Sequence, residues 1–308
     1  MKGYTVPKST AAIVKAYADA AQSESTRRSY TQDIRHFRQN GGKIPATPAM
    51  VAGYLARFAE SHAVATLQHR LVAIRRAHVE GGYTSPTSDQ LVKRTMQGIR
   101  RTEGVAQRRV QALVKDALIE LLVTVEKQKP LKAARDKALL LVGFAGAFRR
   151  SELVALRMDD IIPHVHGIEL LIRRSKTDQE GRGRTVFIPM ANAEQLCPVR
   201  ALKSWLELAG IGEGPLFRLV NRHDRLITAN ALTPQSVALI LKSAMRQAKG
   251  VEAAQAVAGH SLRAGFVTEA ALVGMQTSAI MGQSGHRSLE MVFRYIRPVQ
   301  KRQIPSLL

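Results

Sequence analysis

Residues 285–295 read GHRSLEMVFRY, and this stretch near the end of the chain decides how the rest of the sequence is interpreted. Tyr295 follows His286 by nine residues, and Met291, Val292 and Tyr295 recur at the i, i+1 and i+4 spacing of a helix. Taken alone, the pattern predicts an amphipathic helix that is anchored by Met291 and Val292 and buries its tyrosine. A reactive tyrosine is predicted only if basic residues from elsewhere in the chain converge on its hydroxyl.

The chain is strongly basic along its whole length. Its 308 residues include 46 Lys and Arg against 24 Asp and Glu, which gives a net charge of +22 at pH 7. Residues 1–101 carry 16 basic and 6 acidic residues, a net of +10, and the remaining residues contribute the other +12. Two positive halves favour two regions that bind one polyanion, with nucleic acid as the first expectation and an anionic membrane surface as the second.

The sequence carries no sign of a cofactor, an export signal or a membrane anchor. Cys197 is its one cysteine, which excludes a disulfide framework and a cysteine-based zinc cluster. No window approaches 18 apolar residues and the N-terminus lacks a signal-peptide core, so a cytoplasmic location with no membrane partner is expected. No phosphate-binding glycine loop is visible. His164 and His166 alternate on a predicted strand and could in principle share a metal, but no third ligand is evident, so no metal or other cofactor is predicted.

The first hundred residues predict an all-α helical bundle. Apolar residues recur at helical spacing in five segments, which are separated by short turns that contain Gly or Pro. This gives an N-terminal domain over residues 1–101, followed by a basic linker over residues 102–110. Arginines of the bundle and the linker are expected to contact DNA phosphates, although a solvated helix face is the alternative for any one of them. The candidates are Arg27, Arg28, Arg70, Arg75, Arg76, Arg100, Arg101 and Arg108.

Residues 111–308 predict an α+β domain. Two helices over 113–126 and 131–148 are followed by three short segments rich in branched residues, at 160–165, 168–173 and 184–189, and then by further helices. The predicted fold class is therefore mainly α with two domains, and the second domain contains a small three-stranded antiparallel sheet. Lys176 lies just before the turn that joins the second and third strands.

Three other basic residues of the second half occupy positions that call for a partner or a site. Arg149 follows a long apolar segment, where an unpaired buried charge costs several kcal/mol. Glu152 is its natural partner, and a purely structural Arg–Glu pair is the alternative. His260 and Arg263 are three residues apart, so both point to one face of a predicted helix start.

The order of these residues resembles that of the tyrosine recombinase (phage integrase) family, and most of all its Cre-type branch. The likeness rests on Arg149 in the segment FRRSEL, Lys176 on a hairpin, His260-x-x-Arg263, Gly285-His286 and Tyr295. It implies that the first domain is a core-binding DNA clamp and that the second is catalytic. It also implies a site-specific recombinase that cleaves and rejoins double-stranded DNA at inverted-repeat sites, as a tetramer on two sites.

The resemblance implies how the phosphate would be held. Arg149 and Arg263 would give bidentate hydrogen bonds to the oxygens of the scissile phosphate, where negative charge develops in the transition state. His286 would donate a further hydrogen bond. Glu152 would support Arg149 from behind.

The resemblance also implies the covalent chemistry. Tyr295 would be the nucleophile, with His260 as its base or orienting group, and a 3′-phosphotyrosine would conserve the bond energy. Lys176 would protonate the departing 5′-oxygen. Family members commonly dock a C-terminal segment on a neighbouring protomer, and residues 304–308 would be a short version of it.

Two other interpretations stay open on the sequence. A type IB topoisomerase or a telomere resolvase would share the tyrosine chemistry. A DNA-binding regulator could have the same fold without catalysis, although every expected catalytic position is filled here.

Overall fold

The computed structural model describes residues 10, 12–14, 16, 17, 21–105, 110–176, 178 and 180–302, with the side chains of residues 227–229 and 297–302 excepted. The chain divides into two compact units, Met1–Arg109 and Val110–Leu308. The first of the five predicted helical segments, residues 11–21, falls only partly within the described residues, and Arg108 and residues 304–308 lie outside them. In the described part of the chain, no helix is long and apolar enough to cross a membrane.

From residue 24 onward, four α-helices build the core of the first unit. They are α1 (Glu24–Gln39), α2 (Pro48–Arg57), α3 (Val64–Glu80) and α4 (Gln90–Glu103). The first two begin where Ser23 and Thr47 accept hydrogen bonds from backbone N–H groups of the first turn, each at 3.2 Å. Apolar residues from all four helices pack into one core, which includes Phe37, Val51, Leu55, Leu67, Ile74 and Val92.

The end of this unit differs from the prediction. Helix α4 extends to Glu103, so residues 102 and 103 of the predicted linker are helical. Gly104 then takes a φ of 74°, a left-handed value that glycine adopts without steric cost, and the helix ends there.

Within the described residues, the second unit combines α-helices with two small antiparallel sheets. Its helices are α5 (Lys115–Glu126), α6 (Pro130–Ala145), α7 (Arg150–Ala155), α8 (Pro198–Leu208), α9 (Pro234–Ala256), α10 (Ser261–Leu272), α11 (Thr277–Ser284) and α12 (Leu289–Arg302). Its strands are β1 (Ile161–His164), β2 (Gly167–Ile172), β3 (Arg184–Pro189), β4 (Arg218–Val220) and β5 (Leu226–Ala231). The apolar segment 138–142 of α6 is buried in the core, where Trp205 of α8 is also fully buried.

The three-stranded antiparallel sheet is confirmed. Its order is β1-β2-β3, with Ile161 opposite Leu170 and Ile172 opposite Arg184. The hairpin between β2 and β3 carries Lys176 on an exposed turn that is closed by a bridge between Ser175 and Asp178. The mainly α, two-domain fold class with this sheet is therefore as predicted.

Two features of the second unit were not predicted. Strands β4 and β5 form a second, two-stranded sheet, and Asp224 in its turn takes a φ of 62°. The Asp224 carboxylate accepts hydrogen bonds from the backbone N–H groups of Leu131 and Lys132, both at 2.9 Å, and so caps the start of α6 from a distant part of the chain.

The end of α6 is the other difference. The helix predicted over 131–148 stops at Ala145, and Ala147 takes a left-handed φ of 48°. This turn redirects the chain, so that Arg149 precedes α7 instead of directly following a buried helix.

Candidate active site

Arg149 is held at the start of α7 by three contacts. Its Nη1 donates to Oε1 of Glu152 at 2.6 Å, and its backbone N–H donates to Oε2 of the same carboxylate at 2.9 Å. Its Nη2 donates to the carbonyl of Gly285 at 3.3 Å. Arg149 is only 8 % exposed and Glu152 only 2 %, so this is a buried, charge-assisted pair with a fixed geometry.

Arg263 reaches the same place from α10. Its side chain is buried, and its Nη1 donates to the carbonyl of Ala147 at 3.0 Å, in the left-handed turn that precedes Arg149. Its Nη2 has no hydrogen-bond partner among the described residues. Burial, followed by the nearby charge of Arg149, lowers the pKa of Arg263 to about 10, so the guanidinium stays charged at neutral pH. A buried cation with a free donor is suited to bind an anion.

His260 is the residue that precedes α10, one helical turn before Arg263. The histidine is solvent-accessible, and partial burial together with neighbouring positive charges lowers its pKa. The charges come from Arg150, Arg263, Arg149 and Lys176. His260 is therefore a neutral imidazole at pH 7, the form that can accept a proton.

His286 is buried beside the two arginines, in the turn after α11. Its Nδ1 lies 2.7 Å from Oγ of Ser284, whose hydroxyl donates to the carbonyl of Ile280 at 2.6 Å. The Ser284 oxygen thus accepts from Nδ1–H, which leaves a lone pair on Nε2 of the neutral ring. Burial, with the charges of Arg263, Arg149 and Arg184, lowers the pKa of His286 to about 3. The expected hydrogen bond from His286 to phosphate therefore needs a proton that the ring lacks in this state.

Tyr295 lies half-buried on α12, and the centroid of its ring is 6.0 Å from that of His286. Val292 and Ile296 are buried and fix the helix against Val267 of α10 and Ile280 of α11. The prediction that Met291 also anchors this helix is wrong, since its side chain is 41 % exposed. Val292 and Ile296 are four residues apart and share one helix face, while Met291 points about 100° away from Val292.

Lys176 stays apart from this cluster. It is exposed on the β2–β3 turn, close enough for its charge to contribute to the lowered pKa of His260. The structure thus brings Arg149, Arg263, His286 and Tyr295 together, with His260 at the edge of the site and Lys176 on a hairpin beside it.

Sequence analysis missed Arg184, Gln283 and Ser284. Nη1 of Arg184 donates to the carbonyl of Gln283 at 3.0 Å, and its Nη2 lies 3.5 Å from Oε2 of Glu152. The side-chain amide of Gln283 donates to the carbonyls of Ala145 and Phe187, both at 2.9 Å, and ties the end of α11 to α6 and β3. An arginine that opens an apolar strand was the one available signal for Arg184.

The cluster as a whole is an anion site. Arg149 and Arg184 both pair with the carboxylate of Glu152. Burial, and then the charges of neighbouring arginines, lower the pKa values of Arg263 and His286 beside them. Over the described ranges, no group of three or more His, Cys, Asp and Glu side chains is placed to hold a metal ion.

The candidate DNA-contacting arginines of the first unit differ in exposure. Arg27, Arg28, Arg75, Arg100 and Arg101 are exposed, and Arg76 is half-buried with its guanidinium 5.7 Å from the ring centroid of Tyr30. Arg108 lies outside the described residues.

Arg70 is the one candidate whose predicted exposure is wrong. It was expected on the exposed face of its helix, but it is 7 % exposed, 3.7 Å from the carboxylate of Asp33 and stacked over Phe58. The physical reason is its spacing, three residues after Leu67 and four before Ile74, which places it on the buried face of α3.

A basic groove runs between α1 and α3. Its lining includes Arg27, Tyr30, Arg35, Arg38 and Arg76. Cations on one face of a helix pair, with an aromatic ring among them, form a surface suited to a nucleic-acid backbone.

Comparison with known proteins places the second unit in a family. The model of the phage integrase family matches residues 111–302. An integrase/recombinase XerD homologue of Selenomonas ruminantium is 37 % identical over 290 residues, which cover 92 % of this chain and 84 % of that protein. The Cre recombinase of Escherichia phage P1 is 25 % identical over 269 residues, which cover 82 % of this chain and 77 % of Cre. Of these two, the XerD homologue is the more similar, although the sequence motifs had favoured the Cre-type branch.

Solved structures agree at the level of the fold. The XerH site-specific recombinase bound to a palindromic difH substrate gives a TM-score of 0.63 at 18 % identity, over 90 % of this chain and 77 % of that one. A lambda integrase dimer bound to a COC′ core site gives 0.61 at 14 % identity, over 96 % and 77 %. With the family model covering most of the second unit, the chain belongs to the phage integrase family and is a tyrosine recombinase.

Proposed function

We propose that the protein is a site-specific DNA recombinase in which Tyr295 attacks a phosphodiester held by Arg149, Arg263 and His286. One observation carries the proposal. Two buried arginines lie beside His286, whose ring contacts the ring of the half-buried Tyr295. Preorganised cations of this kind stabilise the charge that develops on phosphate oxygens in the transition state. Glu152 keeps the arginines in place without reaching the substrate.

The reaction is a balanced transesterification. The Tyr295 oxygen forms a bond to phosphorus and loses its proton to His260, which is neutral at pH 7. The bond between phosphorus and the 5′-oxygen breaks, and that oxygen takes a proton from Lys176. The products are a 3′-phosphotyrosine and a free 5′-hydroxyl. Attack by a 5′-hydroxyl from a partner strand reverses the step and joins the two strands, with no cofactor.

His286 has a part that depends on the substrate. The ring is neutral before DNA binds, because burial and the arginines lower its pKa to about 3. A phosphate in the site would raise this pKa by its negative charge. The proton that the ring then takes up would be shared with a phosphate oxygen.

The first unit would supply the grip on DNA. Its exposed arginines, and the groove between α1 and α3, would neutralise backbone phosphates on either side of the cleavage point. We further propose that the enzyme acts in the cytoplasm on inverted-repeat sites and assembles as a tetramer on two of them. The domain roles, residues 1–101 as clamp and 111–308 as catalytic domain, belong to the same proposal.

Covalent trapping tests this function. The Tyr295→Phe protein, which should bind DNA without cutting it, first selects duplexes from a randomised library. The selected duplex is then nicked at successive spacer positions, so that the short cleaved strand dissociates and the protein–DNA adduct accumulates. Wild-type protein should give an adduct that survives denaturation, and Tyr295→Phe should give none.

A normal yield of adduct from Tyr295→Phe would exclude Tyr295 as the nucleophile. Relaxation of supercoiled plasmid without any selected site would indicate a topoisomerase instead. Selection of a defined duplex that wild-type protein never cleaves, at any nick position, would indicate a DNA-binding regulator.

A further inference from the structure

Arg184 has no role in the mechanism above, yet its side chain reaches the centre of the site. It opens β3 at the base of the hairpin, opposite Ile172. Its Nη1 donates to the carbonyls of Gln283 at 3.0 Å and Gly282 at 3.4 Å, near the C-terminal end of α11. A cation is favoured there by the helix dipole and by unpaired carbonyls.

The turn before His286 is built against this guanidinium. Gly285 takes a left-handed φ of 64°, and a Cβ added there would lie 2.8 Å from Nε of Arg184. On the other side, the Gly285 carbonyl accepts from Nη2 of Arg149 at 3.3 Å. Two arginines thus enclose one turn, and His286 follows directly from it.

The same two arginines share one carboxylate. Oε1 of Glu152 accepts from Arg149 at 2.6 Å, and Oε2 lies 3.5 Å from Nη2 of Arg184. Because the Glu152 side chain is 1 % exposed, solvent cannot replace either partner. Any movement of Arg184 therefore changes the field and the contacts that fix Arg149.

From these contacts we infer that Arg184 is a positioning residue for the phosphate-binding side of the site, an inference that rests on the proposed function. It holds the Glu152 carboxylate and the Gly285 turn where they fix the guanidinium of Arg149 and the ring of His286. A direct phosphate contact is the competing explanation, since Nε and Nη2 of Arg184 make no hydrogen bond within the described residues.

The experiment compares Arg184→Gln and Arg184→Lys with wild-type protein. Arg182→Gln is the matched control, because Arg182 lies in the same hairpin, is exposed and pairs with Glu180 at 3.1 Å instead of Glu152. The probe is the nicked duplex selected from the randomised library by Tyr295→Phe. Two quantities are measured, the dissociation constant for DNA and the rate of adduct formation with protein at saturation.

Substitution of a positioning residue should lower the rate of adduct formation and leave the affinity for DNA unchanged. Arg184→Gln should lower the adduct rate by about 10- to 100-fold, the usual cost of small misplacements around a reacting group, with the dissociation constant within about 2-fold. Arg184→Lys should recover part of the rate, because an ammonium keeps the charge but cannot span the carboxylate and both carbonyls. Arg182→Gln should match wild-type protein. Should Arg184→Gln not fold, as judged by thermal unfolding, Arg184→Lys carries the same two measurements.

A wild-type rate in Arg184→Gln would overturn the inference, and so would an affinity loss as large as the rate loss. Absence of any adduct with wild-type protein would instead reject the proposed function. This outcome is distinct from a failure of the inference about Arg184, which requires an adduct with wild-type protein. A second substrate tests which side of the site is affected. With sulfur in place of the bridging 5′-oxygen, the leaving group departs without a proton, so a defect in Lys176→Ala should shrink. The Arg184→Gln defect should persist, and its disappearance would assign Arg184 to the Lys176 hairpin, against the inference.

Discussion

The arginines of the two units differ in their surroundings. In the first unit, Arg28 and Arg76 each pair with a glutamate four residues away on their own helix, and Arg27 and Arg75 have no ion pair among the described residues. In the second unit, the guanidinium groups of Arg149, Arg184 and Arg263 lie largely buried around Glu152. One residue type is used in two electrostatic settings.

The difference shows what burial does to a charge. Water and salt screen the exposed pairs, which contribute a few tenths of a kcal/mol each and leave the side chains free to meet phosphates along a polymer. The buried cations are poorly screened, repel one another and are compensated by one carboxylate. A bound anion therefore stabilises such a site strongly, and the stabilisation increases as negative charge develops on the anion in a transition state.

Arg263→Gln tests the buried side of this comparison most severely. The substitution removes the donor at Nη2 that is free among the described residues, together with a buried charge. We expect adduct formation to slow by about 1000-fold, because one preorganised donor to a developing oxyanion contributes about 100- to 1000-fold. Single-turnover trapping at saturating protein measures the rate. Arg200→Gln, exposed on α8, should keep the wild-type rate, and equal losses in both variants would contradict a special role for the buried position.

Glu152→Gln should give the next largest effect, on stability. It leaves three arginines close together without their carboxylate, and breaking a buried ion pair in this way costs about 3 kcal/mol of unfolding free energy. Urea unfolding of the variant measures the loss, with Asp159→Asn at an exposed position as control. Added sulfate should restore more stability to Glu152→Gln than to wild-type protein, since an anion that binds only the folded state stabilises it. Wild-type stability in this variant would mean that the arginines need no compensation.

The buried histidine adds a pH dependence. Burial and the arginines hold the pKa of His286 at about 3 in the folded protein, against about 6.5 in an unfolded chain. Between these values the unfolded chain binds a proton that the folded protein does not, so the free energy of unfolding falls as the pH is lowered through this window. Above about pH 6.5 the stability is fully present.

His286→Asn is the matched variant for this effect. Between pH 6 and pH 5, wild-type protein should lose about 1 kcal/mol more stability than His286→Asn, in parallel urea titrations. An identical slope in the two proteins would show that His286 takes up its proton in the folded state as readily as in the unfolded chain.

The order of residues that resembles the recombinase family predicted which side chains would converge. Arg149, Glu152, Arg263, His286 and Tyr295 do come together. What it could not predict is how they are held, because the holding groups are largely backbone carbonyls. The carbonyls of Ala147, Gln283 and Gly285 accept hydrogen bonds from arginines that lie 116, 99 and 136 residues away in the chain. No residue pattern announces such contacts.

The fold shows the same division. Periodicity predicted the helices and the three-stranded sheet, since apolar spacing directly reflects a buried face. It missed the β4–β5 hairpin, where β4 has three residues and Asp224 acts by capping α6. Arg70 was misread for a different reason. Its spacing placed it on the buried face of α3, but its charge argued for the surface, and the Asp33 carboxylate that allows burial comes from another helix.

The smallest expected effect comes from comparing Arg75→Gln with Arg70→Gln, an exposed and a buried arginine of the same helix. Arg75 is exposed on α3, so losing a phosphate contact there should weaken DNA binding by about 3- to 5-fold near 0.1 M salt and reduce the salt slope of the affinity by about one. The adduct rate at saturating protein should not change. Arg70 is buried beside Asp33, so its loss should lower the unfolding free energy and leave the salt slope at the wild-type value. Fluorescence anisotropy at several salt concentrations measures both slopes. A reduced slope in the Arg70 variant with none in the Arg75 variant would mean that burial in the free protein does not decide which arginines of this unit meet DNA.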